Sequence, residues 1–239
     1  MLPIAYSELI QIFRNRSVLI TNVLFPVAVA AFFIYTRDTF EGTGGLGYIG
    51  AVLVFTIGAF SLYATIVTTL AARRQTLFLK RLRSTAVGDP AILIGLVLPV
   101  AVISVIQVAV ILAVFAAVSG SPADVPLLVL AVVAAFLMLL ALGVATAGVT
   151  SSPEQAQVTT LPISLGSIAV ASWIGIAGTE SLPWLKRLLP GGSATELVID
   201  AWNGGVSVAD SLLLLVPTLG WVVVAVALAA TFFRWEPRR

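Results

Sequence analysis

The sequence predicts an all-α polytopic membrane protein, and three observations carry that prediction. Of 239 residues, 59% are hydrophobic and only 10% are charged. Six long stretches contain no Asp, Glu, Lys or Arg: 17–36, 42–72, 90–123, 125–153, 155–179 and 211–233. The basic residues between them crowd into alternate segments. A typical soluble domain is about 25% charged, and a chain with less than half of that cannot cover a water-facing surface. Lipid is therefore its main solvent.

Each charge-free stretch supplies the roughly 20 apolar residues that cross a hydrocarbon core of about 30 Å. None is long enough for two crossings and a turn. The expected spans are 17–36, 48–70, 91–118, 125–149, 158–178 and 211–233, the fifth beginning late because Gln155, Gln157, Thr159 and Thr160 are polar. The first stretch exceeds the roughly 7–15 apolar residues of a signal-peptide core, and no simple basic segment precedes it, so a span is expected rather than a cleaved signal. With the N-terminus inside, the inner segments hold ten cations: Arg14, Arg16, Arg73, Arg74, Lys80, Arg81, Arg83, Arg234, Arg238 and Arg239. The outer segments hold three, Arg37, Lys186 and Arg187. Both termini are expected in the cytoplasm.

Before the first span, residues 2–15 read as an amphipathic helix lying in the inner interface. Leu2, Tyr6, Leu9 and Phe13 recur at helical spacing, and Ser7, Glu8, Gln11, Arg14 and Asn15 fall on the opposite side. Between the second and third spans, the segment 71–90 (AARRQTLFLKRLRSTAVGDP) holds five basic residues. Phe78, Leu79 and Leu82 gather on one side of a helix there. Cations alone set topology and attract anionic lipid. An apolar stripe among them suits docking into a groove of a soluble partner.

Residues 180–210 are expected outside the membrane. Two short helices, 182–189 and 195–202, are split by Pro190-Gly191-Gly192. Ser193 or Thr195 suits the cap of the second. Trp184 and Trp202 suit the headgroup level, and the helix pair is expected to cover the outer mouth or dip into the membrane as re-entrant helices, a surface loop with interfacial aromatics being the alternative. Pro26, Pro99, Pro162 and Pro217 are candidate kinks. Ser167, Ala171 and Gly175 repeat every four residues in the fifth span, as Gly143, Ala147 and Ser151 do in the fourth. Small residues at this spacing let backbones approach closely. The first set is the candidate dimer seam, packing within one subunit being the alternative.

What is missing narrows the function. Without Cys or His there is no disulfide, no Cys/His zinc site and no His general base. No Gly-rich loop ending in Lys-Ser or Lys-Thr occurs, so the chain has no P-loop of its own. No ionisable group falls at a predicted span centre, which argues against ion-coupled transport. Transport without enzymatic chemistry is expected, with no metal site and no nucleic-acid partner. An ATP-independent secondary transporter or a membrane accessory protein is the alternative. Eleven of the thirteen basic residues are Arg, and with abundant Ala, Val and Gly this points to a GC-rich bacterial source.

The order of these elements resembles the type-2 ABC exporter permeases along nearly the whole chain. Members commonly carry a stretch close to E-R-G-T-L-x-R-L-R-x-T-P-L before the third span. Here Lys80-Arg81-Leu82-Arg83-Ser84-Thr85-Ala86-Val87 matches its second half. Gln75-Thr76-Leu77-Phe78-Leu79 lacks the usual Glu and Gly, and Ala86 stands where Pro is usual. The ending Phe233-Arg234-Trp235-Glu236-Pro237-Arg238 is similar to the tails of actinobacterial drug-export permeases. The resemblance implies that 73–87 is a coupling helix seated on a separate P-loop ATPase, with Arg73, Arg74, Phe78, Lys80, Arg81, Leu82 and Arg83 at the contact. It implies two permease copies and two ATPases in a bacterial plasma membrane, the ATPases using ATP and Mg2+ while this chain binds no cofactor. It also implies a path lined by the first, second and fifth spans. Asn22, Phe25, Thr65, Gln107, Ser164 and Trp173 are the candidates, in surroundings suited to a hydrophobic or amphipathic drug, antibiotic or lipid-like cargo.

Overall fold

From the break at Gly45 to Gln75 the chain runs as one apolar helical rod, and the other helices gather around it. The computed structural model describes Tyr6, Ile10, residues 20–84, residues 88–233 and Trp235, without the side chains of residues 21, 22, 41 and 43. The interfacial helix expected over 2–15 lies outside the described residues apart from Tyr6 and Ile10, which are both helical.

A π-helical turn, Ile20–Leu24, leads into α1, Phe25–Tyr35. The rod follows as α2, Arg37–Ile57, a second π-helical segment, Gly58–Ala64, and α3, Thr65–Gln75. Next come the short α4, Phe78–Arg83, and two long helices, α5, Asp89–Ser119, and α6, Val125–Val149. α7, Pro153–Thr159, runs on through Thr160 into α8, Leu161–Ala177. α9, Pro183–Leu188, and α10, Gly192–Asn203, precede α11, Val208–Leu213, and α12, Leu215–Phe232. No strand occurs among the described residues.

Five helical stretches are long and apolar enough to cross a membrane: Gly44–Gln75, Asp89–Ser119, Val125–Val149, Pro153–Ala177 and Val208–Phe232. Of the stretch expected at 17–36, the described part is the first π-turn and α1, which is apolar but shorter. A helix that is apolar all round must be surrounded by protein or by lipid, and burial separates the two cases. The most apolar window of the rod is 89% buried, whereas that of Val208–Phe232 is 17% buried. The rod is the axis of the bundle, and α12, packed mainly on α6, is its most exposed long helix.

Local chemistry explains the breaks. Pro90, Pro126, Pro153 and Pro183 sit in the first turn of a helix, where a missing N–H costs nothing. Pro26 directly follows the first π-turn and Pro162 lies where α7 runs on into α8, so both fall at breaks within continuous helical stretches, and Pro99 lies well inside α5. Asp124 caps α6 by accepting from the Leu127 N–H at 2.9 Å. Gly45, at φ 75°, breaks α2 in a conformation that disfavours other residues. Gly175 of α8 lies flat against the Tyr48 ring of α2, where any Cβ would collide with it.

Candidate coupling face and path residues

The expected coupling segment is two pieces rather than one helix. α3 ends at Gln75, and Thr76 closes it by donating its hydroxyl to the Ala72 carbonyl at 3.1 Å. Leu77 then takes a left-handed conformation, φ 59° and ψ 13°, which costs a branched residue about 1–2 kcal/mol. The reversal folds α4 back onto the bundle. Leu79 is completely buried, and Phe78 and Leu82 are half-buried against the core. The apolar stripe is thus spent on the chain's own core, because the break at Leu77 turns it inward. Leu77, Lys80, Arg81, Arg83 and Ser84 are what α4 and its ends present outward.

The cations on this face are held in defined places. The Arg73 guanidinium lies 5.2 Å from the centre of the Phe78 ring. Arg83 pairs with Asp89 at 3.2 Å and covers the Trp235 ring at 5.3 Å, linking the start of α5 to the tail. The Arg81 guanidinium reaches the Thr76 carbonyl at 3.4 Å.

Arg74 departs from the expectation of an ATPase-facing residue. It is 1% exposed, and its Nη2 donates to the Ala147 carbonyl at 2.7 Å and to the Thr150 carbonyl. Those carbonyls belong to the open end of α6, where a helix has unsatisfied acceptors and the negative pole of its dipole. Thr150 also donates to the Thr146 carbonyl at 2.8 Å and meets the Thr159 hydroxyl at 2.9 Å. Arg74 therefore knots together the ends of α3, α6 and α7.

The candidate path residues separate just as sharply. Phe25 and Trp173 are exposed on the bundle surface, and Phe25 meets Phe60 edge-on at 4.8 Å. The Asn22 side chain lies outside the described residues. Thr65, Gln107 and Ser164 are buried inside this chain, and two of them serve the π-helical backbone. Thr65 Oγ1 donates to the Phe60 carbonyl at 3.2 Å. Gln107 Oε1 accepts from Ser61 Oγ at 2.7 Å while its Nε2 donates to the Val23 carbonyl at 3.4 Å. In this arrangement all three side chains are enclosed by the chain's own helices.

The candidate dimer seam also faces inward. Ser167 and Ala171 are buried, and Gly175 lies against Tyr48, so the stripe lets α8 approach α2. Gly143 and Ala147 likewise bring α6 against the rod, where a Cβ on Gly143 would stand 3.2 Å from Ile66 Cγ2. Small residues permit close approach without saying to which neighbour.

At the opposite end, α9 and α10 are tied down rather than loose. Lys186 is fully buried; its Nζ donates to the Gly178 carbonyl at 2.7 Å and the Ser181 hydroxyl at 3.1 Å. The ammonium also lies 4.9 Å from the centre of the Trp173 ring. It satisfies the end of α8 as Arg74 satisfies the end of α6. Arg187 holds Glu196 through two bonds of 2.7 Å each, and Asn203 Oδ1 accepts from the Gly47 N–H at 3.0 Å. Trp184 is exposed, but Trp202 is buried against Phe115 with ring centres 4.8 Å apart, so it is a core residue rather than an interfacial anchor. Ser193 and Thr195 do not cap α10, which starts from Gly191. Ser193 meets the Thr218 hydroxyl at 2.8 Å, and Thr195 donates back to the Gly191 carbonyl at 2.8 Å. The buried Lys186 was legible only as an outside cation. Nothing in its spacing signals a helix end eight residues earlier.

Comparison with known families matches residues 6–231 to the model of the ABC-2 family transporter proteins. No curated protein matches the chain. The match spans almost all of the sequence and agrees with an apolar, all-helical bundle lacking a P-loop. The chain therefore belongs to the ABC-2 transporter family, as a multi-pass membrane permease subunit of an ABC transporter.

Proposed function

We propose that this permease crosses the membrane six times with both ends in the cytoplasm of a bacterial cell. Two copies with two P-loop ATPases then export a hydrophobic or amphipathic compound, such as a drug, antibiotic or lipid-like molecule. ATP and Mg2+ are handled by the ATPases. The observation that carries this reading is the outward basic face of α4, with Lys80, Arg81 and Arg83, braced through Leu79 at the end of the central rod. A push on that face acts directly on the best-packed helix in the bundle. Nucleotide can bias the permease only through contacts that differ between its two states, and α4 is positioned to make them.

The second copy needs a seam other than Ser167, Ala171 and Gly175. We assign it to the exposed side of α8, where Leu161, Leu165, Trp173 and Ile176 form an apolar stripe. Trp173 and Phe25 then fall at or beside the path between copies.

Co-expression with a P-loop ATPase tests the reading. Reversing the charge of both Arg81 and Arg83 is expected to abolish stimulation of the ATPase by cargo while the permease stays folded. Unchanged stimulation would remove the coupling assignment.

A further inference from the structure

The central rod changes helical type at Gly58–Ala64, and Gln107 reads that change directly. A π-turn holds one residue more than an α-turn and frees backbone carbonyls from the regular ladder. Here the Phe60 carbonyl is met by Thr65, and the Val23 carbonyl of the other π-turn is met by Gln107. The same Gln107 amide accepts from Ser61, inside the rod's own π-segment. One buried side chain on α5 therefore spans the π-turns of two different helices. It does so with both ends of an amide, an acceptor toward one and a donor toward the other.

The position of the π-segment gives this a mechanical meaning. Above it, α2 packs on α8 and α10. Below it, α3 packs on α6 and α7, carries the Arg74 knot and leads into α4. Adding or removing one residue from a helical turn rotates everything beyond it by about 100°. A rod with a movable extra residue is a gear between its two halves, and the Ser61–Gln107–Val23 bonds hold one setting.

We infer that Gln107 is a positioning residue for transport, holding the π-register of the rod so that movement of α4 is delivered to the opposite end as rotation. Loss of the amide frees the register, so that α3 rotates without engaging α2. This builds on α4 as the ATPase contact, yet the first measurement needs no ATPase.

The chain contains no cysteine, so single cysteines at positions 66–72 can each carry a nitroxide in the complete permease in lipid nanodiscs. Oxygen accessibility along this scan should peak at the half-buried Thr68, Thr69 and Ala72. In Gln107→Leu, and in Ser61→Ala should Gln107→Leu fail to fold, the phase of that pattern is expected to move by about 100°. Ser61→Thr, which keeps the hydroxyl, should restore it. A phase that stays in place in a folded variant lacking either group overturns the proposal. With an ATPase assembled, Gln107→Leu should transport less cargo per ATP than wild type. Transport per ATP unchanged in Gln107→Leu overturns the link to transport. If the phase moves in the permease alone but Arg81/Arg83 reversal leaves ATPase stimulation intact, the α4 docking reading fails and the register role stands.

Discussion

Replacing Arg74 by Met separates holding the bundle together from contacting a partner. The Met stem keeps most of the apolar volume but removes the donors to the Ala147 and Thr150 carbonyls. Each orphaned buried carbonyl costs about 1–3 kcal/mol. The variant also no longer pays the desolvation of a buried guanidinium, several kcal/mol before its bonds are counted. The site lies at an end of the bundle rather than its centre, so water can reach the carbonyls once the guanidinium is gone. Two orphaned carbonyls together would cost about 2–6 kcal/mol, and the relieved desolvation and water entry take back most of that, leaving an expected loss of about 1–2 kcal/mol in stability. Arg81→Met removes an exposed cation and should change stability by no more than about 0.5 kcal/mol. Thermal unfolding of both purified permeases, beside cargo-stimulated activity of a co-expressed ATPase, distinguishes them. Arg74→Met should unfold early with stimulation proportional to the folded fraction, and Arg81→Met should be stable with weakened stimulation. If Arg74→Met were as stable as wild type yet lost stimulation, its burial would not be its role and the knot would be wrong.

Three further outcomes follow from particular sites. Leu77→Gly relieves the left-handed strain at an exposed position and should stabilise the permease by about 1 kcal/mol in chemical denaturation, whereas Leu77→Val should destabilise it. Burial holds the Asp200 carboxyl above the ordinary carboxylate value, against the lowering effect of the Ser211 hydroxyl bond. A raised acid binds its proton more tightly when folded, so its stabilising share is present at low pH and is lost as pH rises through the raised value. Asp200→Asn should therefore raise the unfolding temperature at neutral pH and leave it little changed at acid pH, as a pH series of melting curves would show. Leu165→Cys should form a disulfide between copies under mild oxidation in membranes, while Ala171→Cys should not, because Ala171 is buried inside one copy.

Legibility in the sequence varied with the range of the interaction that mattered. The helical, lipid-facing character was open to view because it is additive over composition: too few charges for a water-facing surface, gathered into a few segments. The basic character of 73–83 was equally visible, since charge is a property of single residues. The direction in which residues point was not. Phe78, Leu79 and Leu82 form the same stripe whether it faces a partner or the core, and the left-handed turn at Leu77 decided for the core. The stripe Ser167, Ala171, Gly175 could serve any close neighbour, and Tyr48 supplied one in the same chain. Thr65, Gln107 and Ser164 looked like path residues because polar groups in spans need a use. For Thr65 and Gln107 that use is the pair of π-turns, which hydropathy cannot register.

The sequence by itself determined the solvent of this protein, its helical class, its lack of a P-loop and the placement of its cations at span ends. Those features depend on what each residue is. Tertiary structure alone decided that Arg74 and Lys186 satisfy the ends of α6 and α8, that Trp202 belongs to the core, and that Gln107 joins two π-turns. In each case the deciding partner is a backbone carbonyl or a ring on another helix. Backbone carbonyls are the same in every residue, so no side-chain pattern announces which of them a fold will leave in need of a donor.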